Sequence, residues 1–475
     1  MDVDRRSLVI GLGMAVGVGV GASVITRPHE DVDAQEPPPE PDVTAEPTVA
    51  HADEFETVID AVQVGADPRG EEPINRILEE YADDDTLLSF PEGRYLLEPM
   101  TISEYNTFGI TGRGAGRPRF VAEAGTCVDG GSSYVHFQNV SKFLLHGVTF
   151  DFSASSTGGV VRITATGDAT VTDVRAPGAC AAQVALFRLD VTDASSTAVV
   201  DALDIENEST DSWLTGVYVG KQHAGDLVFR NCTVDGFTDN GLYASAPGLS
   251  DGAGGIVHVE GGTYRNNNVS NVRLGSAGSV ARGVTAISDS PPPSDGDVTA
   301  NARGFRLRSG HGQLIDDCEV YITGDSRFTH GGIVFHHTNG GATVRDTRVD
   351  IDRNETAAIR LFSRDTDNPA VPVFENVRVT GSAAGGQAVL VVGRDETVFR
   401  ECRIEQSGAD RHGIVFRDST ECRLVDSTID VTSHPLVLRN ATVSIENTTL
   451  ITPDGSETID EMEATAADFG PEREQ

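Results

Sequence analysis

The sequence predicts an all-β fold, a right-handed parallel β-helix (a solenoid) with a short N-terminal capping helix. Three observations predict it. A two-part phrase recurs along the chain, clearest as VFRNCTV (Val228–Val234) followed by GLYA (Gly241–Ala244). It returns as LIDDCEV with GIVF, TVRDTRV with AIRL, VFENVRV with AVLV, VFRECRI with GIVF, and LVDSTI with PLVL. The turn residue of each first phrase falls at Gly147, Asp173, Ala202, Asn231, Gly261, Gly283, Asp317, Asp346, Asn376, Glu401, Asp426 and Asn447, in steps of 21 to 34 residues. That is a solenoid period. Finally, each phrase alternates apolar with polar residues and is rich in Val, Ile and Thr, the pattern of a strand.

A unit of two or three short strands cannot bury its own apolar face, so successive coils must stack. Small or polar turn residues tolerate the tight bend and can hydrogen-bond one coil to the next. Val234, Tyr264, Val320, Val349, Val379, Ile404 and Ile429 are expected one above another inside the coil. The repeat runs from about Ser132 to Leu450, which favours one solenoid over two ordinary domains.

In chain order, residues 1–28 carry Arg5-Arg6 before an apolar run and resemble a twin-arginine export signal. Without a clean cleavage site the segment could remain as a membrane tether. Residues 29–54 are acidic and Pro-rich, a disordered linker. Residues 55–131 hold the N-terminal cap and first coils: a strand and turn, an amphipathic helix over Pro73–Tyr81 with Ile74, Ile77, Leu78 and Tyr81 on one face, then strands across Thr86–Leu97. A helix laid across an open sheet end blocks edge-to-edge association. Residues 132–452 form the solenoid, and 453–475 an acidic tail.

GADPRG (Gly65–Gly70), a short helix and FPEGRYLL (Phe90–Leu97) together resemble the N-terminal part of the pectate-lyase-like superfamily, which includes polygalacturonases, polysaccharide lyases and phage tailspikes. The resemblance implies the fold; the fold hosts many reactions and some non-catalytic roles. Departures from the polygalacturonase branch are plain. Thr238-Asp239-Asn240-Gly241 is a loose echo of its acidic motifs, Asp316-Asp317-Cys318 falls at a turn, and Ser309–Gly312 follows its strand. Those catalytic roles are therefore not carried over.

The formal net charge is −37, from 73 acidic and 36 basic residues, and Lys142 and Lys221 are the only lysines. An acidic, Lys-poor surface keeps a protein soluble in strong brine. A halophilic, exported protein, extracellular or at the cell surface, is the expectation. Without a basic stripe, no nucleic-acid partner is expected. Cys232, Cys318 and Cys402 share one inward ladder position on non-neighbouring rungs and read as core residues, with Cys422 out of register. CxxC pairs are absent, which argues against structural zinc.

In each second phrase the first and third apolar residues point inward, so the middle one is expected to face solvent. These middle residues are Tyr218, Tyr243, Arg273, Arg306, Val334, Arg360, Leu390, Val415 and Val437. Small residues before them (Gly216, Gly241, Gly304, Gly332, Ala358) predict a groove floor, with polar Asn271 on the same line. Arg308, His336, Lys221, His223 and His311 lie just beyond, and loops Asn207–Leu214 and Ser288–Asn301 are candidate walls. Such a face suits an acidic polysaccharide. Removing the proton beside a uronate carboxylate builds charge that Arg forks can bind. This points to a uronate-directed lyase or epimerase, with Arg273 and Arg306 as carboxylate clamps, Tyr243 as acid and His336 or Lys221 as base. Tyr218, Trp213, Asn271, Arg308, His311 and Arg360 would bind substrate. The alternatives are a non-catalytic glycan-binding adhesin or scaffold, and a polygalacturonase-type hydrolase. Each Arg could instead pair with the abundant carboxylates. Asp295 and Asp297 could hold calcium, but turn chemistry explains them better, so no metal or other cofactor is expected.

Overall fold

The computed structural model describes residues 49–128, 132–181, 184–210, 213–291, 301–326, 329–365, 370–453 and 459–461. The proposed export segment, most of the linker and most of the acidic tail lie outside the described residues, as do Asp295 and Asp297. The chain is an all-β, right-handed-type parallel β-solenoid of about 12 turns.

Every ladder joins a strand to its equivalent one coil on, and the pairings are parallel. All twelve turn residues marked in the sequence adopt the left-handed backbone conformation, from Asn447 at φ 47 to Gly261 at φ 68. Their amides then continue the ladder, as Asn231 N–H to the Glu260 carbonyl at 3.0 Å and Asn376 N–H to Arg400 at 3.0 Å show. Asn and Asp tolerate this region better than other non-glycine residues. Where they stack they also bond side to side: Asn376 Nδ2 donates to Asp346 Oδ1 at 2.7 Å.

Inside, Val234, Tyr264, Ala286, Val320, Val349, Val379, Ile404 and Ile429 are successive register partners. They belong to one continuous core reaching from Ala61 to Leu436. Each fully buried Val or Ile contributes about 1.5–3 kcal/mol by leaving water. The expected helix spans Asn75–Tyr81, and Ile74, Ile77 and Leu78 join the core beside the first coils. Thr86–Leu96 is one strand whose register shifts between Pro91 and Gly93, where a strand–turn–strand was expected. Cys232, Cys318, Cys402 and Cys422 are free thiols. Burial pushes those of Cys232, Cys318 and Cys402 up to about 12, so they are inert core residues.

Candidate functional site

Strands Thr215–Tyr218, Leu242–Ala244, Val272–Leu274 and Ala302–Leu307 lie side by side. In them apolar residues alternate with Tyr or Arg, so the apolar ones enter the core and the others leave it on the opposite side. Tyr218, Tyr243, Arg273, Arg306, Val334, Arg360, Leu390, Val415 and Val437 are consecutive Cα partners, as the sequence predicts. The row also extends the other way. Arg188 pairs with Tyr218, Arg162 with Arg188 and His136 with Arg162. The sequence reading missed these three, although VRI (Val161–Ile163) and FRL (Phe187–Leu189) repeat the apolar-Arg-apolar signal of VRL, FRL and IRL further on.

The row is not the open line of side chains expected. Arg273 and Arg306 are each 4% exposed. Arg273 Nε donates to Ser245 Oγ at 2.7 Å and its Nη2 to the Tyr243 hydroxyl at 2.9 Å. Its guanidinium also lies 3.8 Å from the Tyr243 ring centroid. Burial pulls Arg273 down to about 10, with Tyr243 opposing. Arg273 is therefore a buried support for Tyr243, and its fork is already committed. Val334, Leu390, Val415 and Val437 are buried too, and Leu390, Val392, Val415 and Val437 form an apolar cluster separate from the core. Solvent faces the row where Arg162, Arg188, Tyr218 and Tyr243 lie, all half-buried, and again at Arg308 and Arg360.

The supposed groove floor points the wrong way. A Cβ at Gly216 would come within 2.8 Å of inward Val234 Cγ1, one at Gly304 within 2.7 Å of Val320 Cγ1, and one at Gly332 within 2.7 Å of Val349 Cγ1. These glycines line the inner corner, where the chain bends and the strict in–out alternation lapses. Asn271 belongs to the same corner. It is fully buried, accepts from the Asn267 amide N–H at 3.1 Å and donates to the Ile287 carbonyl at 3.0 Å. It shapes the coil and is not a ligand contact.

Neither proposed base suits proton abstraction. Lys221 Nζ lies 2.7 Å from Asp251 Oδ2 on the surface, and that carboxylate raises its pKa, so it stays protonated. His336 is buried; desolvation first, then Arg306 and other cations, push it down to about 2. Its Nδ1 faces the Thr338 amide at 3.3 Å and hydroxyl at 2.9 Å. A group with so low a pKa is a weak base at neutral pH. His223 is structural: its Nδ1 accepts from Val191 N–H at 3.2 Å and its Nε2 donates to Ile256 O at 3.2 Å. His311 is exposed, and Trp213 is 61% exposed at φ 69 before strand Thr215–Tyr218.

The abundant carboxylates pair with arginines on the other faces, as in Arg230–Glu260 at 2.8 Å, Arg265–Asp289 at 2.6 Å and Arg345–Asp316 at 2.9 Å. In the row, Arg188 Nε meets Asp190 Oδ2 at 2.8 Å, whereas Arg162 and Arg273 have no carboxylate contact among the described residues. The described residues contain no group of three or more His, Cys, Asp or Glu that could hold a metal ion. No described helix is long and apolar enough to cross a membrane.

No family model matches the sequence, and no curated protein does. Among solved structures, the chain is similar to the Streptococcus pneumoniae surface protein and adhesin PfbA, with 11% identity over 85% of this chain and 99% of that one, at TM-score 0.47. It is similar to the Azotobacter vinelandii mannuronan C-5 epimerase AlgE4 A-module at 12% identity, covering 86% and 100%, TM-score 0.39. Pectate lyase Pel9A matches at 13% identity, covering 69% and 76%, TM-score 0.39. At such identities the likeness concerns the fold alone.

Proposed function

We propose that this protein binds an acidic polysaccharide laid across its coils on the outer face of the Arg162–Arg306 row. One observation carries the reading: in a chain of net charge −37, arginines and tyrosines occupy one outward register position on six consecutive coils. Coils about 4.8 Å apart make the solvent-facing part of that stretch, Arg162 to Tyr243, about 14 Å long, room for about three sugar rings. Tyr218 and Tyr243 meet edge to face with centroids 5.1 Å apart, and Arg188 lies 5.2 Å from the Tyr218 ring. Amphipathic rings of this kind stack on sugar faces, and the adjoining cations select acidic ones. Binding to acidic but not to carboxyl-reduced polysaccharide, measured calorimetrically in molar salt, tests it; equal binding to both would refute it.

The second reading is turnover, as a uronate lyase or epimerase. It is favoured by the Arg273–Tyr243 hydrogen bond, which places a cation against one of the two phenols of the row. Rising absorbance of unsaturated uronate tests the lyase form, and exchange of the uronate C5 proton with solvent tests the epimerase form. Export to the cell exterior by the Arg5-Arg6 segment, and stability in brine, complete the proposal.

A further inference from the structure

Arg162 and Arg188 sit on neighbouring coils, about 5 Å apart at the backbone. Two guanidiniums so close repel, yet both turn toward one neutral oxygen. With the Gln222 amide oriented to satisfy them, its Oε1 accepts from Arg188 Nη2 at 3.1 Å and from Arg162 Nη2 at 3.2 Å. Gln222 is exposed and lies beyond the strand end, so its amide is easily displaced. Behind the pair the arrangement is fixed. Asp190 is fully buried, takes Arg188 Nε at 2.8 Å and accepts from the Gly220 amide at 2.6 Å. A Cβ at residue 220 would lie 2.4 Å from Arg188 Nη2 and 2.8 Å from Asp190 Oδ1 and would push the pair aside, so glycine leaves them room. Arg162 Nε is buried without a partner among the described residues. One carboxylate therefore serves two cations, and the surplus charge faces outward beside Tyr218.

We propose that Arg162 and Arg188 form a built anion subsite at one end of the row, taking a carboxylate or sulfate ester of the glycan in the place the Gln222 oxygen occupies. An anionic oxygen there would accept from both guanidiniums and relieve their repulsion, which a neutral amide does only weakly. Tyr218 and Tyr243 follow on the next two coils, so the acidic group anchors one sugar while its neighbours rest on the rings. The inference rests on the polysaccharide reading above and names where that ligand's charge is read.

Titration calorimetry in molar salt tests it with three probes: a six-residue polyuronate oligosaccharide, its carboxyl-reduced counterpart, and a sulfated dextran oligosaccharide of similar length. Parent protein, Arg162→Gln, Arg188→Gln and Gln222→Ala are compared, with melting curves as fold controls. Losing a charge-assisted contact should weaken an acidic probe on the order of 10-fold or more in either arginine variant. Gln222→Ala should bind at least as tightly as parent, since only the displaceable amide is lost. Arg162→Gln is decisive if Arg188→Gln fails to fold with Asp190 unpaired, because Arg162 meets no described carboxylate. Preference for the uronate or the sulfated probe identifies which anion the subsite takes. If the parent binds an acidic probe and Arg162→Gln binds it equally well, the subsite is overturned while the polysaccharide reading stands. If the parent binds neither acidic probe, both fall.

Discussion

Arg394 offers a test of how the core supports the outer face. It is 2% exposed and donates from Nε to Phe362 O at 2.7 Å, from Nη1 to Asn339 O at 2.6 Å and from Nη2 to His336 O at 2.8 Å. These carbonyls belong to the turn after strand Thr329–Phe335 and to the segment after strand Ile359–Leu361, just beyond the row that holds Val334 and Arg360. Arg394→Met keeps the bulk and removes the donors. Three buried carbonyls left without them cost about 1–3 kcal/mol each, near 6 kcal/mol together. Against this stands the cost of burying the charge, which lowers Arg394 from its ordinary value to about 10 and returns about 3 kcal/mol when the charge is removed. The expected net loss is therefore about 3 kcal/mol. Urea titration at constant molar salt measures it; guanidinium chloride would itself screen the acidic surface. Arg411, fully buried and bonded to Gln406 Oε1, Gly385 O and Thr356 O at 2.6 Å each, should behave alike on substitution. An Arg394→Met protein within about 0.5 kcal/mol of parent would refute the reasoning, since scatter for neutral changes is of that size.

Other predictions follow from the same geometry. Gly304→Ala drives a Cβ to 2.6 Å from the Gly332 carbonyl and 2.7 Å from Val320; it should destabilise by about 1–3 kcal/mol, whereas an outward groove-floor glycine would accept Ala freely in a melting assay. Burial, aided by nearby arginines, lowers His136 to about 4 and His330 to about 3, and His336 to about 2. Each favours the neutral form, so its stabilising contribution is whole above pH 6.5 and lost as pH falls through those values; unchanged melting between pH 7 and pH 4 would contradict this. Tyr243→Phe should leave binding within about 10-fold, one hydrogen bond's worth, and abolish any turnover seen by absorbance or proton exchange. Melting temperature should climb between dilute buffer and 1 M salt, where the screening length is about 3 Å; equal values would end the halophile reading.

The solenoid was legible because its rules are local. A residue that must take a positive φ is drawn mostly from Gly, Asn and Asp, as ten of the twelve turn positions are, with Ala202 and Glu401 the exceptions, and the twelve together give the coil count and the registers. The row from Tyr218 to Val437 was legible for the same reason, since equal distance from equivalent turns places residues side by side. Exposure was not legible. Alternation tells which side of a strand a residue leaves by, but not what lies over it, so Arg273 and Leu390 were expected in solvent and are buried. Alternation also lapses at corners, which put Gly216 and Asn271 on the wrong side. Arg162 and Arg188 were passed over because their strands, Val160–Thr172 and Ala185–Val191, are longer than the short second phrases used as markers.

Hydroxyl-radical footprinting with an acidic oligosaccharide tests the central claim most directly, because tyrosines report it side chain by side chain. Tyr218 and Tyr243 lie on the row, while Tyr105 and Tyr321, similarly half-buried, lie off it. The account predicts that saturating polyuronate in molar salt protects Tyr218 and Tyr243 and leaves Tyr105 and Tyr321 unchanged. Protection of Tyr321 with Tyr218 and Tyr243 still reactive would place the ligand on another face and contradict it.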